Sequence, residues 1–241
     1  MIRILCRQVS QTVTTELDYW PSLRHTAATG CTLSLWLHVE QDSTTRQRAA
    51  VGLRLGVNLC EPHMCPCGTL VDAKGSHELS CKRNAGRSIR NHQLDDLIWR
   101  ALTRASIPWV NEPVGLFRSD GKRTDGLNLI PWQGGKCLTW NVTVADTLAA
   151  TYLASASTTA ASVAEGATST SREDKKYSAI AQSHVFVPLA IETLGLINLK
   201  GLEFLFEMGD RLTTAADDPR DASFLFQRIS IVIERFNAIC F

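Results

Sequence analysis

Apolar residues recur at helical spacing between residues 87 and 105. Ile89, Leu94, Leu97, Ile98, Ala101 and Leu102 share one face, and Pro108 ends the run. Upstream, "RQRAAVGLRLGV" at 46–57 predicts a short helix ending at Gly56. Downstream the period changes. "WVNEPVGLF" reads as a short strand interrupted at Pro113, and "DGLNLIPW" and "KCLTWNVTV" read as two strands joined through "PWQGG". A hairpin centred on Gln133 sets Ile130 opposite Lys136, Leu127 opposite Thr139, and Asp125 opposite Asn141. Two polar side chains would then face each other with Cβ atoms about 5 Å apart. Residues 147–171 are rich in Ala, Ser and Thr; they suit a linker, or a helix leading into "SREDKKYSAIAQ", which the Ala content favours. "HVFVPLAIET" predicts another strand, and "LKGLEFLFEMGDRL" and "DASFLFQRISIVIERFNAI" two more helices. This order predicts an α/β fold with a central mixed sheet of about four strands, flanked by helices on both faces.

Residues 1–45 carry few periodic signals and read as a linker or a truncated upstream segment. Residues 46–86 hold a helix and a cysteine-rich cluster, and 87–241 hold the α/β region. The 241 residues suffice for one sizeable core with an attached module, and a 44% hydrophobic, 20% charged composition is that of an ordinary globular chain. Net charge is +1, so bulk charge selects no partner. Its distribution is less even: from Lys82 to Arg123 there are nine Lys/Arg against four Asp/Glu, which suits a polyanion or a solvated face. The start, "MIRILCRQVSQTV", is not a secretory signal, and no segment has 18 uninterrupted apolar residues. The expected location is therefore intracellular, nuclear or cytoplasmic. In a reducing compartment, clustered cysteines favour metal over disulfides.

The cluster is "CPCGTLVDAKGSHELSC" at 65–81. Cys65, Cys67, His77 and Cys81 offer three thiolates and one imidazole, a set suited to a closed tetrahedral structural zinc site. Gly68 and Gly75 let the chain turn back on either side. The Cys-x-Cys start is tighter than the usual two- to four-residue gap, and Cys60 and His63 are spare ligands, so other choices of four stay open.

A second cluster is acidic: Glu112, then Asp125 within "KRTDG", then Asn141 within "WNVTV". Polar oxygens facing each other across a hairpin can hold Mg²⁺, which polarises a phosphate and lowers the pKa of an attacking water. Lys175 and Lys176 in "REDKKY" are candidates to stabilise transition-state charge. A strand ending in Asp is also commonplace, so spacing alone gives this cluster little weight. "NVT" at Asn141 is formally a glycosylation sequon, but it lies in an apolar strand pattern.

The succession of "RAAVGLRLGVNLCEPHMCPCGTLVDAKGSHELSC", "GRSIRNHQLDDLIWRAL", "NEPVGLFRSDGKRTDGLNLIPW", "KCLTWNVTVADTLA", "KKY", "VPLAIETLG" and "LFQRISIVIERFNA" resembles the C-terminal region of certain non-LTR retrotransposon polyproteins. In that family a Cys-Cys-His-Cys knuckle precedes a restriction-like endonuclease of the PD-(D/E)XK class. The resemblance spans about residues 48–240 and rests on motif order. It implies a restriction-endonuclease-like sheet with a small N-terminal zinc knuckle. The implied activity is Mg²⁺- or Mn²⁺-dependent nicking of DNA, with the element RNA as a further candidate partner. It implies Cys65, Cys67, His77 and Cys81 as structural zinc ligands. Asp125 matches the Asp of the family's Pro-Asp, Asn141 its second metal-binding acid, and Lys176 with Tyr177 a displaced catalytic Lys-Tyr. Glu112 is an additional acid. Arg90, Asn91 and His92 fall at an Arg-His-Asn/Asp signature with the last two interchanged. Arg87, Arg90, His92, Lys122 and Arg123 are the implied nucleic-acid contacts.

Two departures stand out. Thr124 replaces the Pro, which ligates nothing. Asn141 replaces an Asp, keeping a ligating oxygen but losing a charge. That predicts weakened metal binding and slowed cleavage. The alternative is a non-catalytic, zinc-stabilised nucleic-acid-binding remnant. No Tyr-x-Asp-Asp motif of a reverse transcriptase occurs, so the chain is expected to be the tail of such an element.

Overall fold

A computed structural model describes residues 43–116, 123–149, 162–169 and 180–241. Thr44–Phe241 forms a single unit. In chain order its elements are helix α1 (Ser43–Leu55), strands β1 (His63–Met64) and β2 (Leu70–Val71), and helices α2 (Ser76–Ser80) and α3 (Ala85–Arg104). Strands β3 (Trp109–Asn111), β4 (Gly126–Gln133) and β5 (Lys136–Ala145) follow, then helix α4 (Ser162–Ser169) and strand β6 (Val185–Glu192). Helices α5 (Leu199–Ala216) and α6 (Asp221–Ala238) complete the order.

The central sheet is mixed and four-stranded, in the order β3-β4-β5-β6. β3, β4 and β5 pair antiparallel, and β5 pairs parallel with β6. Leu138, Trp140, Val142 and Val144 of β5 alternate along one face, as a period of two requires. They join Val187, Leu189 and Ile191 of β6 in the main core. Leu94, Leu97, Ile98 and Leu102 of α3, Phe204, Leu205 and Met208 of α5, and Leu225, Ile229 and Ile233 of α6 cover that face. Trp140 is fully buried at its centre. Its ring lies where a Cβ on Gly126 would have to sit, 2.1 Å away, so residue 126 has to be glycine.

Glu192 points to the other side. Its carboxylate accepts from the backbone N–H groups of Val163 and Ala164, each at 3.2 Å, and from the Thr147 hydroxyl. It thereby satisfies the open N–H groups at the start of α4. The sheet thus carries helices on both faces.

The expected hairpin forms, with one change. Leu127 pairs with Thr139 and Gly126 with Trp140, as the sequence predicts. Near the turn, Pro131 pairs with Cys137 and Gln133 with Lys136, through two register shifts. Ile130 does not face Lys136. The turn residues are Gly134 and Gly135, at φ of 57° and 76°, rather than a loop centred on Gln133. Two adjacent left-handed positions make a tight two-residue turn. The bulges absorb the offset between it and the distal register.

Among the described residues no helix is long and apolar enough to cross a membrane.

Candidate metal centre and acidic hairpin

The metal cluster assembles from two short turns. β1 and β2 form a miniature hairpin, with Met64 opposite Leu70. Between them the Cys65 amide donates to Thr69 O at 2.9 Å and the Gly68 amide to Cys65 O at 2.8 Å. This loop sets Cys65 and Cys67 side by side. A second turn at Asp72–Gly75 leads into α2. Gly75 has φ +68°, and a Cβ there would meet the Phe241 ring at 2.4 Å. α2 carries His77 in its first turn and ends at Cys81, whose amide donates to His77 O at 2.9 Å. Residues four apart on a helix share a face, so His77 and Cys81 both turn towards the hairpin loop.

The four ligand atoms of Cys65, Cys67, His77 and Cys81 lie within 4.8 Å of one another. The Cys65 and Cys81 sulfurs are 3.4 Å apart, and the Cys67 sulfur is 3.1 Å from His77 Nε2. The spare ligands are engaged elsewhere. Cys60 Sγ donates to Asp72 O at 3.3 Å, and His63 lies between Glu61 O and the Glu78 carboxylate. The open choice of four is therefore resolved, and the donor set can hold a metal such as zinc. Hydrogen bonds from the Thr69 hydroxyl and amide pull the Cys67 thiol down to about 6. The Cys67 amide favours the Cys65 thiolate, but burial and the neighbouring thiols outweigh it and push that thiol up to about 11. Three sulfurs this close ionise together only if a cation offsets their repulsion.

The knuckle is joined to the rest of the unit. Leu53 of α1, Leu79 of α2 and Cys240 form a small core with Leu59, Leu148, Leu194 and Phe241 packed around it. Asn84 donates to Glu78 at 2.5 Å and to Cys240 O at 2.7 Å, while its own oxygen caps α3 at Gly86 N. Arg90 is fully buried, donating to Asn237 Oδ1 at 2.6 Å and to Leu79 O at 3.1 Å. Expected to contact nucleic acid, it instead bolts α2 and α3 to α6, and it has no surface to offer a phosphate.

The acidic residues gather where β3 ends and β4 begins, against the middle of β5. The Asp125 amide donates to Trp140 O at 3.0 Å, just beyond the Gly126–Trp140 pair at the start of β4, and the expected Asp125–Asn141 pair is not formed as part of the ladder. The Asp125 carboxylate accepts from the Val142 amide at 2.5 Å. The Glu112 amide donates to Asp125 O at 3.2 Å, with Glu112 itself at φ +42°, a strained value for a residue with a Cβ. Its exposed carboxylate lies 3.8 Å from Arg123. Asn141 is buried, and its amide nitrogen donates to Thr143 Oγ1 at 3.3 Å.

One residue that periodicity does not single out belongs to this neighbourhood. Asp95 is only 8% exposed, and its Oδ1 has no hydrogen-bond partner among the described residues. Burial, then the negative charges of Asp125 and Glu112, raise its carboxyl to about 8. The sequence signal was its position next to Leu94 and three before Ile98, inside the apolar stripe of α3.

The remaining expected site residues scatter. His92 is exposed on α3 and meets the edge of Trp99, which stacks on Trp109 at 5.3 Å. Arg87 is half-buried. Lys122, Lys175, Lys176 and Tyr177 lie outside the described residues. Much of the basic excess is taken up within the fold: Arg100 pairs with Asp96, Arg104 with Asp221, and Arg83 donates to Pro66 O. No known protein family matches the chain, and no curated protein matches it either.

Proposed function

We propose that this chain is a divalent-cation-dependent DNA endonuclease of the restriction-like class, slowed by Asn141 in place of an acid. The observation that carries the reading is that Asp125 is bonded to the β5 backbone on either side of Asn141, through Trp140 O and the Val142 amide, with Glu112 hydrogen-bonded alongside. The mixed sheet with helices on both faces, and the Cys-Cys-His-Cys cluster ahead of it, agree with the resemblance to the retrotransposon endonuclease region.

In this reading zinc is structural. Cys65, Cys67, His77 and Cys81 fill all four positions and leave none open for chemistry. Mg²⁺ or Mn²⁺, when bound at the hairpin, would polarise the scissile phosphate and activate water. Asp125 is held for that task by the Val142 amide, which fixes its carboxylate against β5. Asn141 contributes an amide oxygen without charge. Lys176 is assigned the charge-stabilising role by resemblance alone. DNA would be held by Arg87, His92, Lys122 and Arg123.

Nicking of supercoiled plasmid in Mg²⁺ or Mn²⁺ tests the reading. The native chain is expected to nick slowly, and Asp125→Ala to abolish the activity. Nicking that survives Asp125→Ala contradicts the assignment. The second reading, a nucleic-acid-binding domain without chemistry, is favoured by the missing carboxylate at 141. It predicts salt-dependent DNA binding with no nicking by any variant.

A further inference from the structure

We infer that Thr139 is a positioning residue for Asp125, acting with Thr124 through two buried hydroxyls that fix residues 124–126 against β5. The inference rests on the cation-dependent reading above and deepens it.

Thr124 and Thr139 have no exposed surface. Thr139 Oγ1 lies 2.9 Å from Thr124 Oγ1 and 2.8 Å from Gly126 O. A hydroxyl has one hydrogen to give and lone pairs that accept, whereas a carbonyl oxygen only accepts. Both contacts are satisfied when Thr139 donates to Gly126 O and accepts from Thr124. The residues on either side of Asp125 are thereby tied to one side chain. Asp125 itself is held by three more bonds. Its amide donates to Trp140 O at 3.0 Å, its carbonyl accepts from the Glu112 amide at 3.2 Å, and its carboxylate accepts from the Val142 amide at 2.5 Å.

Strand pairing does not supply this hold. The β4–β5 ladder begins at Gly126–Trp140, so residues 124 and 125 lie beyond its first pair. A β-branched residue at 139 suits a strand with or without a hydroxyl; the hydroxyl adds the two bonds. Proline at 124, which the resemblance leads one to expect, has no hydroxyl to give, and threonine there is matched to threonine at 139. Aim matters at such a site, because a misplacement of about 1 Å can cost about a hundredfold in rate. With Asn141 uncharged, the carboxylate that β5 holds in place is that of Asp125.

The test is amide hydrogen exchange in the zinc-loaded chain at one pH, read at Val142, whose N–H is bonded to the Asp125 carboxylate. Ala190 of β6, whose N–H is bonded to Asn198 Oδ1 at 2.8 Å, is the internal control. In Thr139→Val, exchange at Val142 should speed by about tenfold relative to Ala190, the loss of about one hydrogen bond. Thr139→Ser should stay within about threefold of the native chain, since it keeps the hydroxyl. The double variant Thr124→Val/Thr139→Val guards against a folding defect: it leaves neither hydroxyl buried without the other, and should behave as Thr139→Val does. Unchanged exchange at Val142, or equal speeding at Val142 and Ala190, would overturn the inference. Single-turnover plasmid nicking at saturating DNA and Mg²⁺ reads the same residue in the reaction. The double variant should nick about tenfold more slowly or worse with unchanged DNA affinity, and Thr139→Ser should recover the rate. An unchanged rate in the double variant, while Asp125→Ala abolishes nicking, overturns the inference and keeps the nuclease reading. Selective speeding at Val142 without nicking by any variant keeps the inference and removes that reading.

Discussion

The knuckle gathers a donor set that can hold a metal, the hairpin is proposed to meet one, and the two are assembled in different ways. The knuckle draws four soft ligands from 17 consecutive residues, closed by a miniature hairpin and one turn of helix. The acidic residues come from α3, from the end of β3 and from the start of β4. In the first, local chain geometry does the gathering. In the second, the tertiary fold does.

The contrast is sharpest when each metal is withdrawn. Cys81→Ser should lose zinc and destabilise the whole of Thr44–Phe241, by several kcal/mol given the ~10–16 kcal/mol of structural zinc binding in small peptides. The effect reaches the far end of the chain because Gly75 packs on Phe241 and Asn84 holds Cys240. Thermal melting with zinc quantitation checks this, and a melt unchanged by zinc loss would detach the knuckle from the fold. Removing Mg²⁺ should leave the melting temperature at pH 5 almost unaltered.

Arg90→Ala probes the same union from the other side. It removes a buried guanidinium bonded to Asn237 and Leu79 and should cost about 1–3 kcal/mol for each acceptor left without its donor. DNA affinity per folded molecule should not change, and a reduced salt slope would return Arg90 to the surface. Arg87→Ala should cost little stability and lower the salt slope of DNA binding by about one.

Asp95 should impose a pH dependence on stability. The Asp95 carboxyl lies near 8 in the folded chain, against about 3.9 when unfolded. Between those values the folded state holds the extra proton, so its contribution is full below about pH 4 and lost as pH rises through 8. The slope is about 1.4 kcal/mol per pH unit in the absence of Mg²⁺ or Mn²⁺. Asp95→Asn should flatten that loss and raise the melting temperature at pH 8. Melting scans at constant zinc read this directly, and parallel profiles for the two proteins would show that Asp95 does not titrate there.

Periodicity made the helices and strands legible, because each buries one face. It also gave the Leu127–Thr139 pairing of the hairpin. The turn end was not legible: bulges at Pro131 and Gln133 answer to the Gly134–Gly135 turn and shift the register locally. The four metal ligands were readable as residue types. What separated them from Cys60 and His63 was tertiary: each of those finds another partner. Charge was the poorest guide. A count of Lys and Arg treats Arg90 and Arg104 as surface, yet one is fully buried and the other pairs with a buried Asp221. Asp95 was hidden for the complementary reason. An apolar stripe predicts burial and says nothing of which polar residue is buried with it.

The account turns on residue 141. The most direct measurement is the plasmid-nicking rate of Asn141→Asp beside the native chain, in Mg²⁺ and at one salt concentration. A carboxylate restored opposite Asp125 is expected to raise the rate by about tenfold or more, equivalent to at least about 1.4 kcal/mol of transition-state stabilisation. Equal rates in the two proteins, or no nicking by either, would contradict a cation site impaired by a single lost charge.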